Sequence, residues 1–130
     1  MRIIPTRVHG VIEYIVGLAL IAAPWLFDFA TDGPSTYVPV ALGIITIIYS
    51  LITDYELGVE HIIPMPIHLW IDFFSGLFLA ASPWLFGFYD YVYLPHLVVG
   101  IMEMVVSLIT ETQPSGMAAR DKDRVAGLKI

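Results

Sequence analysis

Residues 9–29 read HGVIEYIVGLALIAAPWLFDF and residues 68–88 read HLWIDFFSGLFLAASPWLFGF. Set 59 positions apart, His9 matches His68, Glu13 matches Asp72 and Gly17 matches Gly76, while Pro24-Trp25-Leu26-Phe27 matches Pro83-Trp84-Leu85-Phe86. Beyond this stretch the copy continues at an offset of 57. Gly43 then matches Gly100, and Ser50-Leu51-Ile52-Thr53-Asp54 matches Ser107-Leu108-Ile109-Thr110-Glu111. A self-similar period of this kind defines the architectural unit before any local propensity is weighed.

The unit is apolar. Of 130 residues, 58% are hydrophobic and 14% charged, with a mean hydropathy of +0.79. Soluble domains average ~45–50% apolar and ~25% charged residues. The apolar residues fall in four blocks, roughly 8–29, 37–53, 67–86 and 94–110. At ~1.5 Å per residue, ~20 residues cross a ~30 Å hydrocarbon layer. The second and fourth blocks lie at the short end of that range. The expected fold is therefore all-α: a four-transmembrane-helix bundle made of two helical hairpins. Because each repeat holds two spans, both hairpins enter from the same side, and the pseudo-twofold axis runs along the membrane normal, as in parallel repeats. The transmembrane domain is assigned to residues 1–113, with repeats at about 8–54 and 67–111, and residues 114–130 are read as a flexible cytoplasmic tail. The first block resembles a signal sequence, but its counterpart in mid-chain cannot be one, so both are expected to be retained.

Positive charge is confined to the two ends. Arg2 and Arg7 precede the first block, and Arg120, Lys122, Arg124 and Lys129 lie in the tail. The Lys/Arg bias then predicts a multi-pass cell-membrane protein with both termini and the central link cytoplasmic. Within that link, Leu57–Ile63 is read as a stretch able to lie flat at the interface. The absence of cysteine excludes disulfides and thiolate metal sites. Nothing suggests nucleic acid; the expected partners are the lipid bilayer and a second copy of the chain.

Pro24 and Pro83 lie about one turn from the far ends of their blocks, where each removes a backbone hydrogen bond and should kink or stop the helix. Trp25 and Trp84 then reach headgroup level, where indole is favoured. Pro39 and Pro95 are expected in the first turn of the returning helices. The doubled Pro-Trp motif, placed in the first helix of a hairpin, resembles the SPW-repeat family of small membrane proteins. The second copy carries the full Ser82-Pro83-Trp84, whereas the first has Ala23-Pro24-Trp25. The resemblance covers residues 8–111 and implies a multi-spanning membrane protein, without catalytic residues to carry over.

Small and polar residues form stripes. His9, Glu13 and Gly17 share one helix face, as do His68, Asp72 and Gly76. Gly43, Thr46, Ser50 and Thr53 form another, with Gly100, Glu103, Ser107 and Thr110 as counterparts. The glycines and the hydroxyls of Ser50 and Ser107 are read as helix-packing residues. His9, Glu13, His68, Asp72 and Glu103 form a candidate intramembrane polar cluster, with Glu13 and Asp72 about 7–8 Å deep and Glu103 about 10 Å deep. The simplest arrangement pairs His9 with Glu13 and His68 with Asp72, each within its own helix, with Glu103 facing one pair. Glu103 has Thr46 as its counterpart, which excludes perfect twofold chemistry. His61 and His96 are read as interfacial side chains.

Intramembrane charge is costly and must be paired or face a cavity. Three readings follow. The cluster holds the helices together in a non-enzymatic scaffold or interaction module; it moves protons or ions in a small oligomeric transporter or channel; or it binds a metal in a membrane enzyme. The spacing is neither Glu-x-x-His nor HExxH. The sequence assigns no catalytic residue, metal or cofactor, and the first reading is adopted.

Overall fold

The computed structural model describes residues 2–114 and contains four helices: α1 Thr6–Leu26, α2 Pro34–Leu51, α3 Met65–Leu85 and α4 Leu94–Ile109. The described residues do not include the tail 115–130, so the reading of a flexible cytoplasmic tail lies almost wholly outside them. Polarity is inverted relative to a soluble bundle. His68, Ser50, Thr53 and Thr110 are fully buried, while Ile15, Leu18, Ile48, Phe74, Val98 and Leu108 stand exposed. Such a surface is stable against hydrocarbon and unstable against water. α1, α2 and α3 are long and apolar enough to cross a membrane, and α4 is a shorter apolar helix of 16 residues. The chain is a multi-pass helical membrane protein.

The Pro-Trp segments terminate α1 and α3 one turn after the proline. Pro24 and Pro83 remain inside their helices, and the chain leaves the helix at Phe27 and Phe86. Asp28 (φ 56°) and Gly87 (φ 73°) then take left-handed conformations. The next residue turns its N–H back onto the proline carbonyl, Phe29 to Pro24 and Phe88 to Pro83, both at 2.8 Å. This is a Schellman-type stop. Proline at position 83 also deprives the Leu79 carbonyl of its helical N–H, and the Ser82 hydroxyl donates to that carbonyl at 2.7 Å. The serine of the motif thus repairs the gap made by its own proline, a repair Ala23 cannot make in the first copy.

Pro39 departs from expectation. α2 begins five residues earlier, at Pro34 after the N-cap Gly33, so Pro34 occupies the first turn and Pro39 lies inside the helix. The carbonyl of Ser35, four residues before Pro39, is thereby left without its helical donor. His96 Nε2 donates to it at 2.9 Å. His96 is consequently no interfacial side chain but a buried one, flanked by Phe29 and Phe88. Pro95 does fall in the first turn of α4.

At the opposite end the two repeats tie each other's termini. Ile3 and Ile4 donate to the Ile109 carbonyl and Glu111 donates to Ile4; likewise Ile62 and Ile63 donate to Ile52 and Asp54 donates to Ile63. The strip before α1 therefore closes α4, and the strip before α3 closes α2. Arg2 adds a guanidinium to the α4 C-terminus, bonding the carbonyls of Ser107 (3.1 Å) and Thr110 (2.6 Å), where a cation also meets the negative end of the helix dipole. The segment Leu57–Ile63 forms no helix; Val59 and Glu60 fold back onto the Leu51 carbonyl, and His61 lies 2.8 Å from Asp54.

Within each hairpin the helices meet at glycines. A Cβ on Gly43 would stand 2.6 Å from the Gly17 carbonyl oxygen, and one on Gly100 would stand 2.5 Å from that of Gly76. Between hairpins the symmetry breaks. α2 packs on α3, whereas α4 and α1 pack far less closely, leaving an apolar cavity of about 430 Å³ that Val16, Leu20, Val98 and Met102 help to line.

Candidate functional site

The cluster forms where α1 and α3 meet, one to two turns inside their N-terminal ends. The i, i+4 spacing stacks each histidine below its acid, giving His9 Nε2–Glu13 Oε2 at 2.8 Å and His68 Nε2–Asp72 Oδ2 at 3.2 Å. Helix packing adds the cross-repeat contacts, His9 Nε2–Asp72 Oδ2 at 2.9 Å and His68 Nε2–Glu13 Oε2 at 3.7 Å. The two same-helix pairs are in fact one four-membered group, with the imidazole rings 5.5 Å apart and edge to face. All four residues are buried.

A second layer holds each member in orientation. His9 Nδ1 meets Thr110 Oγ1 at 2.9 Å, and His68 Nδ1 meets Thr53 Oγ1 at 2.7 Å. Each histidine is thus held by the threonine of the other repeat. Both hydroxyls already donate to the carbonyl four residues back, Thr110 to Val106 and Thr53 to Tyr49, each at 2.6 Å. A hydroxyl has a single proton, so both threonines accept from imidazole Nδ1–H. That leaves both Nε2 atoms facing the carboxylates. Tyr49 takes the outer carboxylate oxygens, with its hydroxyl 2.5 Å from Asp72 Oδ1 and 3.4 Å from Glu13 Oε1.

Glu103 does not join this group. It borders a small crevice of about 10 Å³ between α1 and α4, with His9, Glu13 and Asp72 on the other walls. Its buried Oε1 has no hydrogen-bond partner among the described residues, and neither has His68 Nε2. Pro24, Trp25, Ser82, Pro83 and Trp84 lie at the far end of the bundle, away from the cluster. Both indoles are exposed, and Trp84 stacks on Tyr89. Gly17, Gly43, Gly76 and Gly100 line the hairpin contacts; Ser107 bonds the Met104 carbonyl, and the buried Ser50 hydroxyl has no partner among the described residues.

Sequence reasoning missed Tyr49. The signal was available: Tyr49 lies in the polar stripe of α2 and corresponds to Val106 in the second copy, another broken correspondence beside Thr46 and Glu103. Tyr55, in the link, closes the cluster from outside with its ring 5.9 Å from that of His68, and burial raises its phenol pKa above the ordinary value, keeping it protonated.

The SPW repeat domain matches residues 7–110, spanning both hairpins and every member of the cluster. The chain belongs to the SPW repeat family. No curated protein and no solved structure matches it. For this SPW chain the motif that names the family lies at one end of the bundle as a helix stop, and the polar chemistry lies at the other.

Proposed function

We propose that this SPW protein is a non-enzymatic membrane module whose two hairpins are clasped by the buried polar cluster. The carrying observation is the exchange of partners between repeats: His9 to Thr110 and Asp72, His68 to Thr53. A group knitted in this way joins helices, and its adjoining crevice of about 10 Å³ holds about one water-sized sphere at most, too little for a conducting path. The purified chain in vesicles bearing a pH gradient should pass no more protons or cations than protein-free vesicles. The buried, unpartnered Oε1 of Glu103 favours one competing reading, a proton-coupled transporter, because intramembrane carboxylates commonly mark proton or ion pathways. Flux that Glu103→Gln abolishes would establish that reading and reject the module.

In this proposal the end bearing Arg2 and Arg7 faces the cytoplasm of a cell membrane, since the connections at the Trp end carry no Lys or Arg. The chain has no cysteine, so single replacements report orientation cleanly. Asp90→Cys should react with an impermeant maleimide in intact cells, and Glu60→Cys only after permeabilisation. The opposite pattern would invert the topology. Self-association of the module belongs to the same reading and is checked by crosslinking in the membrane.

A further inference from the structure

Each repeat contributes a histidine and an acid one turn apart, and neither pair alone can surround anything. Together their four ligand atoms lie within 4.8 Å of one another: two imidazole Nε2 atoms and one oxygen each from Glu13 and Asp72. The threonines have already claimed both Nδ1–H groups, so in neutral rings both Nε2 atoms present lone pairs toward carboxylate oxygens. Four converging lone pairs repel unless something positive lies between them. Protons on both imidazoles are one solution. However, His68 Nε2, 3.2 Å from Asp72 Oδ2, has no aligned hydrogen-bond partner among the described residues, so a proton there would point at no acceptor. A metal ion needs only convergence.

We propose that His9, Glu13, His68 and Asp72 bind one divalent first-row transition ion, with zinc the best fit. The Nε2–oxygen separations of 2.8, 2.9, 3.2 and 3.7 Å bracket the ~3.3 Å edge of a tetrahedron with bonds of ~2.0–2.1 Å. Imidazole with carboxylate is a borderline ligand set suited to zinc and iron rather than to calcium or copper(I). Two neutral imidazoles, two carboxylates and a dication sum to zero charge, which suits a site surrounded by hydrocarbon. The outer shell is that of a metal site. Each histidine donates its second nitrogen to a fixed acceptor, and each carboxylate has its second oxygen beside the Tyr49 hydroxyl. Four protein ligands with no open position make this a structural ion, which joins α1 to α3 and so joins one repeat to the other.

The test uses the full chain purified in detergent without chelators, with zinc measured by elemental analysis and cobalt(II) loaded in its place. One equivalent of zinc per chain and the intense visible absorption of four-coordinate cobalt are expected. Glu13→Gln should reduce both. The double variant Thr53→Val/Thr110→Val touches no ligand and should weaken metal affinity 10–100-fold, which a purely packing role for the threonines would not do. If the ligand variant fails to fold, the cobalt spectrum of the unaltered chain still decides. A folded chain that retains no zinc, cobalt, iron or manganese after loading and dialysis overturns the metal site, and does so without touching the module reading. Metal-bound protein that also conducts ions or turns over a substrate overturns the module reading and leaves the metal site standing.

Discussion

Gly100→Val is expected to leave no stably folded bundle in detergent, while Gly33→Ser keeps or slightly raises its stability. The difference lies in what a new side chain would meet. At Gly100 the Cβ itself would lie 2.5 Å from the Ala80 nitrogen and 2.5 Å from the Gly76 oxygen, both backbone atoms that no rotamer change can move. α3 and α4 would have to separate, losing the close van der Waals contact that drives helix association in lipid. Overpacking costs ~1–3 kcal/mol where side chains can adjust, and more where they cannot. At Gly33 the nearest atom is the Thr31 hydroxyl at 3.6 Å, and serine is a better N-cap than glycine. Gly10→Ala should fall between them, because its Cβ meets the side chains of Tyr55 and Leu57 rather than backbone. Thermal unfolding followed by circular dichroism ranks the three; a Gly100→Val midpoint equal to that of the starting chain would show that the hairpin contact is not close.

Asp72→Ala carries the second large effect, a loss of about 3–5 kcal/mol as expected for removing one partner from a buried charged group. The truncation strands the Tyr49 hydroxyl at 2.5 Å, His9 Nε2 at 2.9 Å and His68 Nε2 at 3.2 Å in a buried site. Helices unfolded within the membrane also find polar partners, which places the result toward the lower end of that range. Asp54→Ala is the control. Its partner His61 has a side chain 54% exposed, and a pair of that kind contributes about 0–1 kcal/mol. Equal losses for the two variants would mean that the cluster is wet, and would remove the physical basis of both the clasp and the metal site.

Much of the fold was legible because its causes are local. Four apolar blocks, two of them ending in Pro-Trp, imply two hairpins running the same way, and the helices follow the blocks to within a few residues at either end. At the start of α2 one local signal overrides another: Gly33-Pro34 starts the helix, so Pro39 lies inside it and frees a carbonyl that His96 is buried to satisfy. The stacking of His9 under Glu13 and of His68 under Asp72 was equally readable, since 3.6 residues per turn alone determine it.

The membership of the cluster was not. Which atoms arrive from another helix depends on how helices cross, and the crossing depends on glycine contacts distributed along the whole hairpin. Only the packed bundle brings Thr110 to His9, Thr53 to His68 and Tyr49 to Asp72, and leaves Glu103 at the edge of the group. Local sequence dictates two copies of a hairpin, each with a histidine one turn below an acid. Helix packing makes the copies exchange partners and converge their remaining lone pairs on one point, because helical periodicity acts within a chain segment and convergence acts between segments.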